Sequence, residues 1–225
     1  MVARFSTRRR RHGLPVAQCA PGRAAYTAGA RPFAVPRPSK DSLATMNVIG
    51  FCGHSGSGKT TLVEQLIARL KRAGRRVSVV KHAHHAFDID HPGKDSWRHR
   101  QAGACEVVIA SDRRLAKIRE FDPPAEPTVH DLIRELGACD WVLVEGFKRA
   151  ALPKIEVWRA ATGQPAQYPG DAHIVAVCTD SAALLPQATD LPVLDLNDAD
   201  AVAAFLLASA QRFAYLAPPH LLPSR

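Results

Sequence analysis

The chain has 225 residues, of which 46% are hydrophobic, and its formal net charge is +9. This length allows one sizeable domain or two small ones, and the hydrophobic content is sufficient for a core. The charge is uneven, because residues 1–45 contain nine of the 30 Lys and Arg residues but only one of the 21 acidic residues. The rest of the chain is nearly neutral and has no global electrostatic reason to bind nucleic acid, so we expect no such partner.

Residues 1–45 are rich in Arg, Pro, Gly and Ala and lack sustained apolar periodicity, which predicts a disordered basic tail. Three interpretations stay open: a disordered arm, an Arg-rich transit peptide, or sequence upstream of a true start at Met46. We favour the third because Met46 immediately precedes the first predicted strand. We find neither a membrane-spanning apolar run nor a secretory signal, so we expect a cytoplasmic protein with no membrane partner. We assign 46–216 to one folded domain and 217–225 to a flexible C-terminus.

The first predicted elements surround a complete phosphate loop. Residues 53–60 read G-H-S-G-S-G-K-T, between an apolar strand at 47–52 and a helix at 60–73 whose apolar residues recur at helical spacing. A strand, a glycine loop and a helix in this order are the context that the motif G-x-x-x-x-G-K-[ST] requires. The pattern predicts backbone N–H groups around a phosphate, Lys59 beside the β- and γ-phosphates, and the Thr60 hydroxyl as a ligand of Mg²⁺.

A second predicted strand, at 77–80, leads into a loop at 81–96 that is dense in ionisable groups, and a helix follows at 95–102. This loop is expected at the same edge of the sheet as the phosphate loop. Its acids could hold waters of a Mg²⁺ ion and its lysines could offset phosphate charge. The residues concerned are Asp88, Asp90, Asp95, Lys81 and Lys94. The alternative, that they are solvated loop residues without a ligand, stays open.

Histidine and cysteine side chains are common metal ligands, and the chain contains both. The loop contains His82, His84, His85 and His91. No cysteine pair lies nearby, and successive residues of an extended segment face opposite directions, so we favour phosphate contact or packing over a zinc site. The five cysteines are scattered without a C-x-x-C pair, which argues against a disulfide framework or a zinc ribbon. Cys52 and Cys178 lie in apolar strands and are predicted to be buried thiols.

The remaining elements alternate along the chain. Strands are predicted at 107–110, 115–118, 141–144, 155–158 and 174–177, and helices at 127–136, ended by Gly137, and at 198–213. This alternation predicts an α/β fold, with a mostly parallel twisted sheet flanked by helices, as in phosphate-loop NTPases. Ligands of such sheets bind at the carboxyl ends of the strands. Glu145 ends the strand at 141–144, where phosphate-loop proteins place the carboxylate that orients the Mg²⁺ shell, and we assign Lys59 and Glu145 as catalytic residues.

Two further runs carry a resemblance to a known family. K-H-A-H-H-A-F-D-I-D-H-P-G-K-D-S follows the phosphate loop, and L-V-E-G-F-K comes later. With these runs the chain resembles the molybdopterin-guanine dinucleotide biosynthesis adaptor family, MobB, from Met46 to about Phe213. The resemblance implies a GTP-binding homodimer that hydrolyses GTP weakly with Mg²⁺. It also implies that the partner is the guanylyltransferase that joins GMP to molybdopterin, with molybdopterin itself as a further possible ligand.

The resemblance also assigns residues. It implies that Glu145 serves the Mg²⁺ site and that nucleotide is bound by Gly53, Ser55, Gly56, Gly58, Lys59, Thr60 and Thr61. We add Lys81, Asp95 and Asp180 to the nucleotide site, and Asp88 and Asp90 to the Mg²⁺ site. Ala83 and Ala86 stand where the family is expected to have threonine and aspartate, which puts one loop contact in doubt.

Base preference and activity class stay open at this level. The guanine motif N-K-x-D is absent, so the sequence does not decide between GTP and ATP. Asp180 ends a strand and could accept hydrogen bonds from guanine, or simply begin a turn. A small-molecule kinase would share the phosphate loop but needs acceptor-binding cations, for which Arg113, Arg114 and Lys117 are the candidates. A nucleic-acid-binding protein would depend on the basic tail.

Overall fold

The computed structural model describes residues 46–83 and 87–218. The predictions for residues 1–45, for His84, His85 and Ala86, and for residues 219–225 lie outside these ranges. The strands are β1 (Asn47–Cys52), β2 (Val77–Lys81), β3 (Glu106–Ala110), β4 (Leu115–Arg119), β5 (Trp141–Glu145), β6 (Lys154–Trp158), β7 (Ile174–Thr179) and β8 (Val193–Asp195). The α-helices are α1 (Lys59–Arg72), α2 (Asp95–Gln101), α3 (Val129–Arg134) and α4 (Ala199–Ala208). None of the described helices is long and apolar enough to cross a bilayer.

Six strands form one parallel sheet in the order β2-β5-β1-β6-β7-β8. The strand that precedes the phosphate loop, β1, therefore lies inside the sheet with a paired neighbour on each side. Because all these strands run in the same direction, their carboxyl ends meet at one edge. The predicted α/β, phosphate-loop NTPase-like fold is confirmed. β3 and β4 form a separate antiparallel hairpin.

The core lies on both faces of this sheet. On one face α1 and α4 pack against the strands, and the predicted apolar stripe of α1 is buried through Leu62, Leu66 and Leu70. On the other face α3 contacts β2, and its Val129 and Ile133 join a cluster with Val48 of β1 and Val142 of β5. Burial of apolar side chains on both faces explains why the central strands read as nearly continuous hydrophobic runs.

Several elements differ from the sequence-based expectations, and α3 ends at Arg134 instead of extending to Gly137. The short strand β8 was not predicted, because Val193–Asp195 offers only three residues of pattern. The last helix ends at Ala208, and residues Ala210–Phe213 form a 3₁₀ turn that brings Phe213 against Trp141, with ring centroids 6.0 Å apart. α3 begins later than predicted because Thr128 and Asp131 form a capping box, in which each side chain accepts from the other residue's backbone N–H.

A buried lysine holds the amino end of β6 in place. The Lys154 side chain is 2% exposed and lies against Gly50, where a Cβ would be only 2.7 Å from Lys154 Cγ. Its Nζ donates to the carbonyl oxygens of Lys148 and Ala150 and to Asp171 Oδ2 at 2.5 Å. These acceptors supply the hydrogen bonds that a buried ammonium needs. The sequence predicts only an apolar strand here and does not indicate the ion pair between Lys154 and Asp171.

Asp171→Ala should destabilise the fold by about 3 kcal/mol, because it leaves the buried Lys154 ammonium without its counter-charge. Burial alone would raise the pKa of Asp171, but the hydrogen bonds from Lys154 and from the His173 N–H lower it below its ordinary value. A carboxyl with a lowered pKa stabilises the fold above its unfolded pKa and stops doing so as the pH falls through the folded value. The loss of unfolding free energy in Asp171→Ala, measured with urea, should therefore become smaller as the pH falls below 3.8, the ordinary pKa of Asp.

The control for this prediction is Asp200→Ala. Asp200 pairs with Arg69 and Arg72 at the surface, where its side chain is 71% exposed, and solvent screens such pairs. We expect the free energy of unfolding of this variant to be close to that of the wild type. Equal destabilisation by both substitutions would show that burial of Lys154 does not determine the effect.

Candidate phosphate-binding site

Glycines shape the loop that follows β1. Gly53, Gly56 and Gly58 have φ angles of 127°, 79° and 97°, which L side chains rarely adopt. At Gly53 space is also limiting, since a Cβ there would lie 2.2 Å from the carbonyl oxygen of Val157 on β6. Gly58 precedes the first residue of α1, so the free N–H groups of the first helical turn begin at the loop. This is the local geometry of an anion-binding loop.

Lys59 folds back over the loop. Its Nζ donates to the carbonyl oxygen of His54 at 2.6 Å and lies 3.4 Å from Oγ of the buried Ser57. Burial lowers the pKa of Lys59 below its ordinary value, although the carboxylate of Glu145 acts in the opposite direction. The ammonium therefore lies over the loop in partly desolvated surroundings, where it would gain an anionic partner at little cost in ordering.

The structure brings Glu145 to the start of α1. Thr60 Oγ1 donates to Glu145 Oε1 at 2.6 Å, and Lys81 Nζ lies 3.5 Å from Glu145 Oε2. The strand register explains this, because Lys81 and Phe51 both pair with Glu145 across β2, β5 and β1. Lys59, Thr60, Lys81 and Glu145, which were selected from the sequence as site residues, thus share one edge of the sheet.

The donor set of this edge fits Mg²⁺. The hydroxyl of Thr60 and the carboxylate of Glu145 are hard oxygen donors, and Mg²⁺ is usually held by one or two such groups together with phosphate oxygens and water. Thr60 could offer a lone pair to the ion while its O–H still donates to Glu145. Within residues 46–83 and 87–218 no three His, Cys, Asp or Glu side chains cluster as an all-protein metal site.

The turn after Glu145 is strained and is packed against the loop after β2. Gly146 and Phe147 have φ angles of 96° and 47°. Among the residues that the structure describes, Phe147 is the one non-glycine residue with a positive φ. The His82 and Phe147 rings lie 4.7 Å apart, and a Cβ at Gly146 would be 2.9 Å from His82 Cβ. The run E-G-F-K therefore needs its glycine, and strain of this kind often occurs at functional sites.

Three acids predicted to serve the nucleotide or Mg²⁺ have other described partners. Asp88 and Asp90 both receive hydrogen bonds from Arg100, which also binds Glu120 at 2.6 Å. The backbone N–H of Asp90 and the Arg100 guanidinium lower the pKa of Asp88. Asp95 begins α2, is exposed, and lies 3.7 Å from Arg98. The described contacts do not bring these three residues to Thr60 and Glu145, so their assigned roles stay predictions.

A cavity of about 180 Å³ opens on the other side of the loop. It is lined by Gly58, Thr61, Leu62, Gln65, Arg159, Leu196 and Asn197. Asp180, predicted to contact the base, lies beside it with Oδ2 3.7 Å from Arg159 Nε. Arg159 and Asn197 were not predicted from the sequence as site residues. The position of Arg159 directly after a predicted strand was the one feature that could have indicated its place at the ligand-binding edge of the sheet.

The chain matches the family model described as Molybdopterin guanine dinucleotide synthesis protein B over residues 48–180. It is 36% identical over 168 residues to the molybdopterin-guanine dinucleotide biosynthesis adapter protein of Escherichia coli, covering 73% of this chain and 94% of that protein. It is 39% identical over 159 residues to the Haemophilus influenzae protein of the same description, covering 71% and 86%. A crystal structure of a MobB protein homolog from Bacillus stearothermophilus superposes with a TM-score of 0.58 at 27% identity, covering 74% and 99%.

Glu145→Gln should weaken the apparent affinity for Mg²⁺, measured through Mg²⁺-dependent triphosphate hydrolysis, by roughly 10- to 100-fold. The amide oxygen can still accept from Thr60, but the negative charge is lost. Triphosphate binding without Mg²⁺ should change less. Glu64→Gln, at an exposed position of the same helix α1, is the matched control. An unchanged Mg²⁺ dependence in Glu145→Gln would mean that another carboxylate serves the ion.

Proposed function

This chain belongs to the molybdopterin guanine dinucleotide synthesis protein B family, and on that premise we propose that it is an adapter in the biosynthesis of molybdopterin-guanine dinucleotide. We propose further that it binds GTP with Mg²⁺ at the phosphate loop, hydrolyses it slowly, and assists the guanylyltransferase of the pathway. One observation carries the nucleotide-binding part of this proposal: Lys59, Thr60 and Glu145 meet at the end of a glycine loop with the geometry of an anion site.

Each residue of the site has a chemical task in this proposal. The loop N–H groups and Lys59 would neutralise the β- and γ-phosphates, and Thr60 would bind Mg²⁺ while Glu145 orients its water shell. Lys81 would keep the Glu145 carboxylate fixed and add positive charge beside the γ-phosphate. Mg²⁺ held by these residues would supply charge neutralisation for the phosphates. Asp180 beside the cavity would accept hydrogen bonds from guanine, which favours GTP as the nucleotide.

Slow hydrolysis is supported by the surroundings of Glu145. The side chains that the structure places against its carboxylate are Thr60 and Lys81. Efficient hydrolysis needs a group that positions water and commonly an arginine at the γ-phosphate. The described contacts of Glu145 include neither a glutamine nor an arginine. A site that binds nucleotide more effectively than it hydrolyses it suits an adapter better than an enzyme with rapid turnover.

The hairpin supports two further parts of the proposal. Val108 is 59% and Leu115 46% exposed on one face of the hairpin, and exposed apolar side chains of this kind often meet another chain, in accord with a homodimer. The cations considered for a kinase acceptor site also lie here. Arg113 is 91% exposed, and Lys117 pairs with Glu106 and Glu135. Their placement at the hairpin gives no support to the kinase alternative.

Lys59→Ala should reduce GTP affinity by tenfold or more in calorimetric titration with Mg²⁺, because it removes a charged donor from the phosphates. The melting temperature should be almost unchanged, since Lys59 contributes no buried apolar contact. Lys71→Ala, in the last turn of the same helix, is the control and should bind GTP like the wild type. GTP affinity that survives Lys59→Ala in a folded protein would refute the phosphate-loop assignment.

The adapter role predicts nucleotide-dependent partner binding. We expect a purified guanylyltransferase of this pathway to bind the GTP-loaded form about fivefold or more tightly than the nucleotide-free form. Asp95→Ala should reduce this difference, because Asp95 is exposed at the end of the loop that follows Lys81. Asp112→Ala is the control, since its side chain is similarly exposed on the hairpin. Equal affinity in both nucleotide states, or rapid turnover on a small acceptor, would favour the kinase instead.

A further inference from the structure

Three neighbouring strands end in one row beside the phosphate loop. Trp158 pairs with Thr179 and Thr179 pairs with Asp195, so β6, β7 and β8 reach the same level of the sheet. The residues that follow are Arg159, Asp180 and Leu196. This register, together with the 3.7 Å distance between Arg159 Nε and Asp180 Oδ2, places a donor fork and a carboxylate side by side.

The Arg159 guanidinium reaches from this row to the phosphate loop. A Cβ at Gly58 would lie 3.5 Å from Arg159 Nη2, so the guanidinium is adjacent to the start of α1. It lines the cavity of about 180 Å³ together with Thr61, Leu62 and Leu196. Leu62 and Leu196 are almost fully buried, so the accessible wall of this cavity is mainly polar, and Arg159 forms part of that wall. A nucleotide with its phosphates at the loop would extend toward this cavity.

Arg159 has unused hydrogen-bonding capacity. Its Nε is buried and has no hydrogen-bond acceptor in the described part of the chain, and the ion pair with Asp180 is longer than a hydrogen bond. A buried N–H without an acceptor is costly, and each such group in a native structure needs an explanation. Within the described residues the structure records no hydrogen bond from the Arg159 guanidinium, whose side chain is 35% exposed, so a ligand acceptor can engage its outer nitrogens, Nη1 and Nη2.

We infer that Arg159 reads the base of the bound nucleotide and, with Asp180, selects guanine. This inference rests on the proposed function, which places the triphosphate at the loop. Guanine presents O6 and N7 as adjacent acceptors, which match the arginine fork, and its N1–H and N2 amino group are donors for Asp180. Adenine presents an amino group where guanine has O6, so it would direct a donor at Arg159. The pair therefore attracts one purine and disfavours the other.

The test compares GTP, ATP and 7-deaza-GTP, which lacks N7, by calorimetric titration of the full chain with Mg²⁺. Arg159→Ala should lower GTP affinity roughly tenfold or more and change ATP affinity less than twofold. The wild type should bind 7-deaza-GTP more weakly than GTP, and this difference should disappear in Arg159→Ala. Arg159→Lys keeps the charge beside Asp180 but lacks the fork, so it should also lose the difference.

Arg113→Ala, an exposed arginine on the hairpin, is the matched control and should retain the wild-type selectivity. Equal loss of GTP and ATP affinity in Arg159→Ala would mean that Arg159 binds phosphate or ribose. Unchanged affinities would mean that it does not contact the nucleotide. Either result overturns this inference and leaves the proposed function intact. If the wild type binds neither triphosphate, the proposed function fails together with the inference. If Arg159→Ala does not melt cooperatively, Arg159→Lys decides between these outcomes.

Discussion

The register of β1 with its two neighbours determines where the polar groups of the site lie. On one side Phe51 pairs with Glu145, and Glu145 pairs with Lys81, so the acid and the lysine reach the level at which the phosphate loop begins. On the other side Cys52 pairs with Glu156, three residues before Arg159. A slip of one residue would turn Glu145 to the opposite face of the sheet, away from Thr60. Close packing of specific side chains on the two faces opposes such a slip.

Local sequence was sufficient for the parts of the site that are close in the chain. The glycine spacing, Lys59 and the apolar stripe of α1 are all local patterns, and the structure places them as expected. Glu145 was found because it ends a buried strand. The contact between Thr60 and Glu145 spans 85 residues, and no local pattern encodes it; it was expected only because parallel strands share their carboxyl edge.

Most features that the sequence did not reveal depend on contacts between separate elements of the fold. Arg100 is ten residues from Asp90 and twelve from Asp88, and one guanidinium binds both, so a loop that reads as an acidic metal site is largely neutralised. Arg159 becomes noticeable only when β6, β7 and β8 are placed in register. Strand β8 itself is too short for its pattern to be distinguished from a turn. The partners of Arg100, Arg159 and β8 are therefore determined by tertiary contacts.

Buried polar groups lie on the two strands that end beside the phosphate loop. Glu156 is fully buried, and burial raises its pKa, yet its carboxylate accepts the N–H groups of Gln167 and Tyr168. On the neighbouring strand the Cys52 thiol is buried, which raises its pKa to about 12, so it remains protonated and apolar at neutral pH. Beneath the loop, the sheet is thus fixed by backbone hydrogen bonds and close packing. This support holds the carboxyl ends of β1 and β6, which lead directly into the phosphate loop and Arg159.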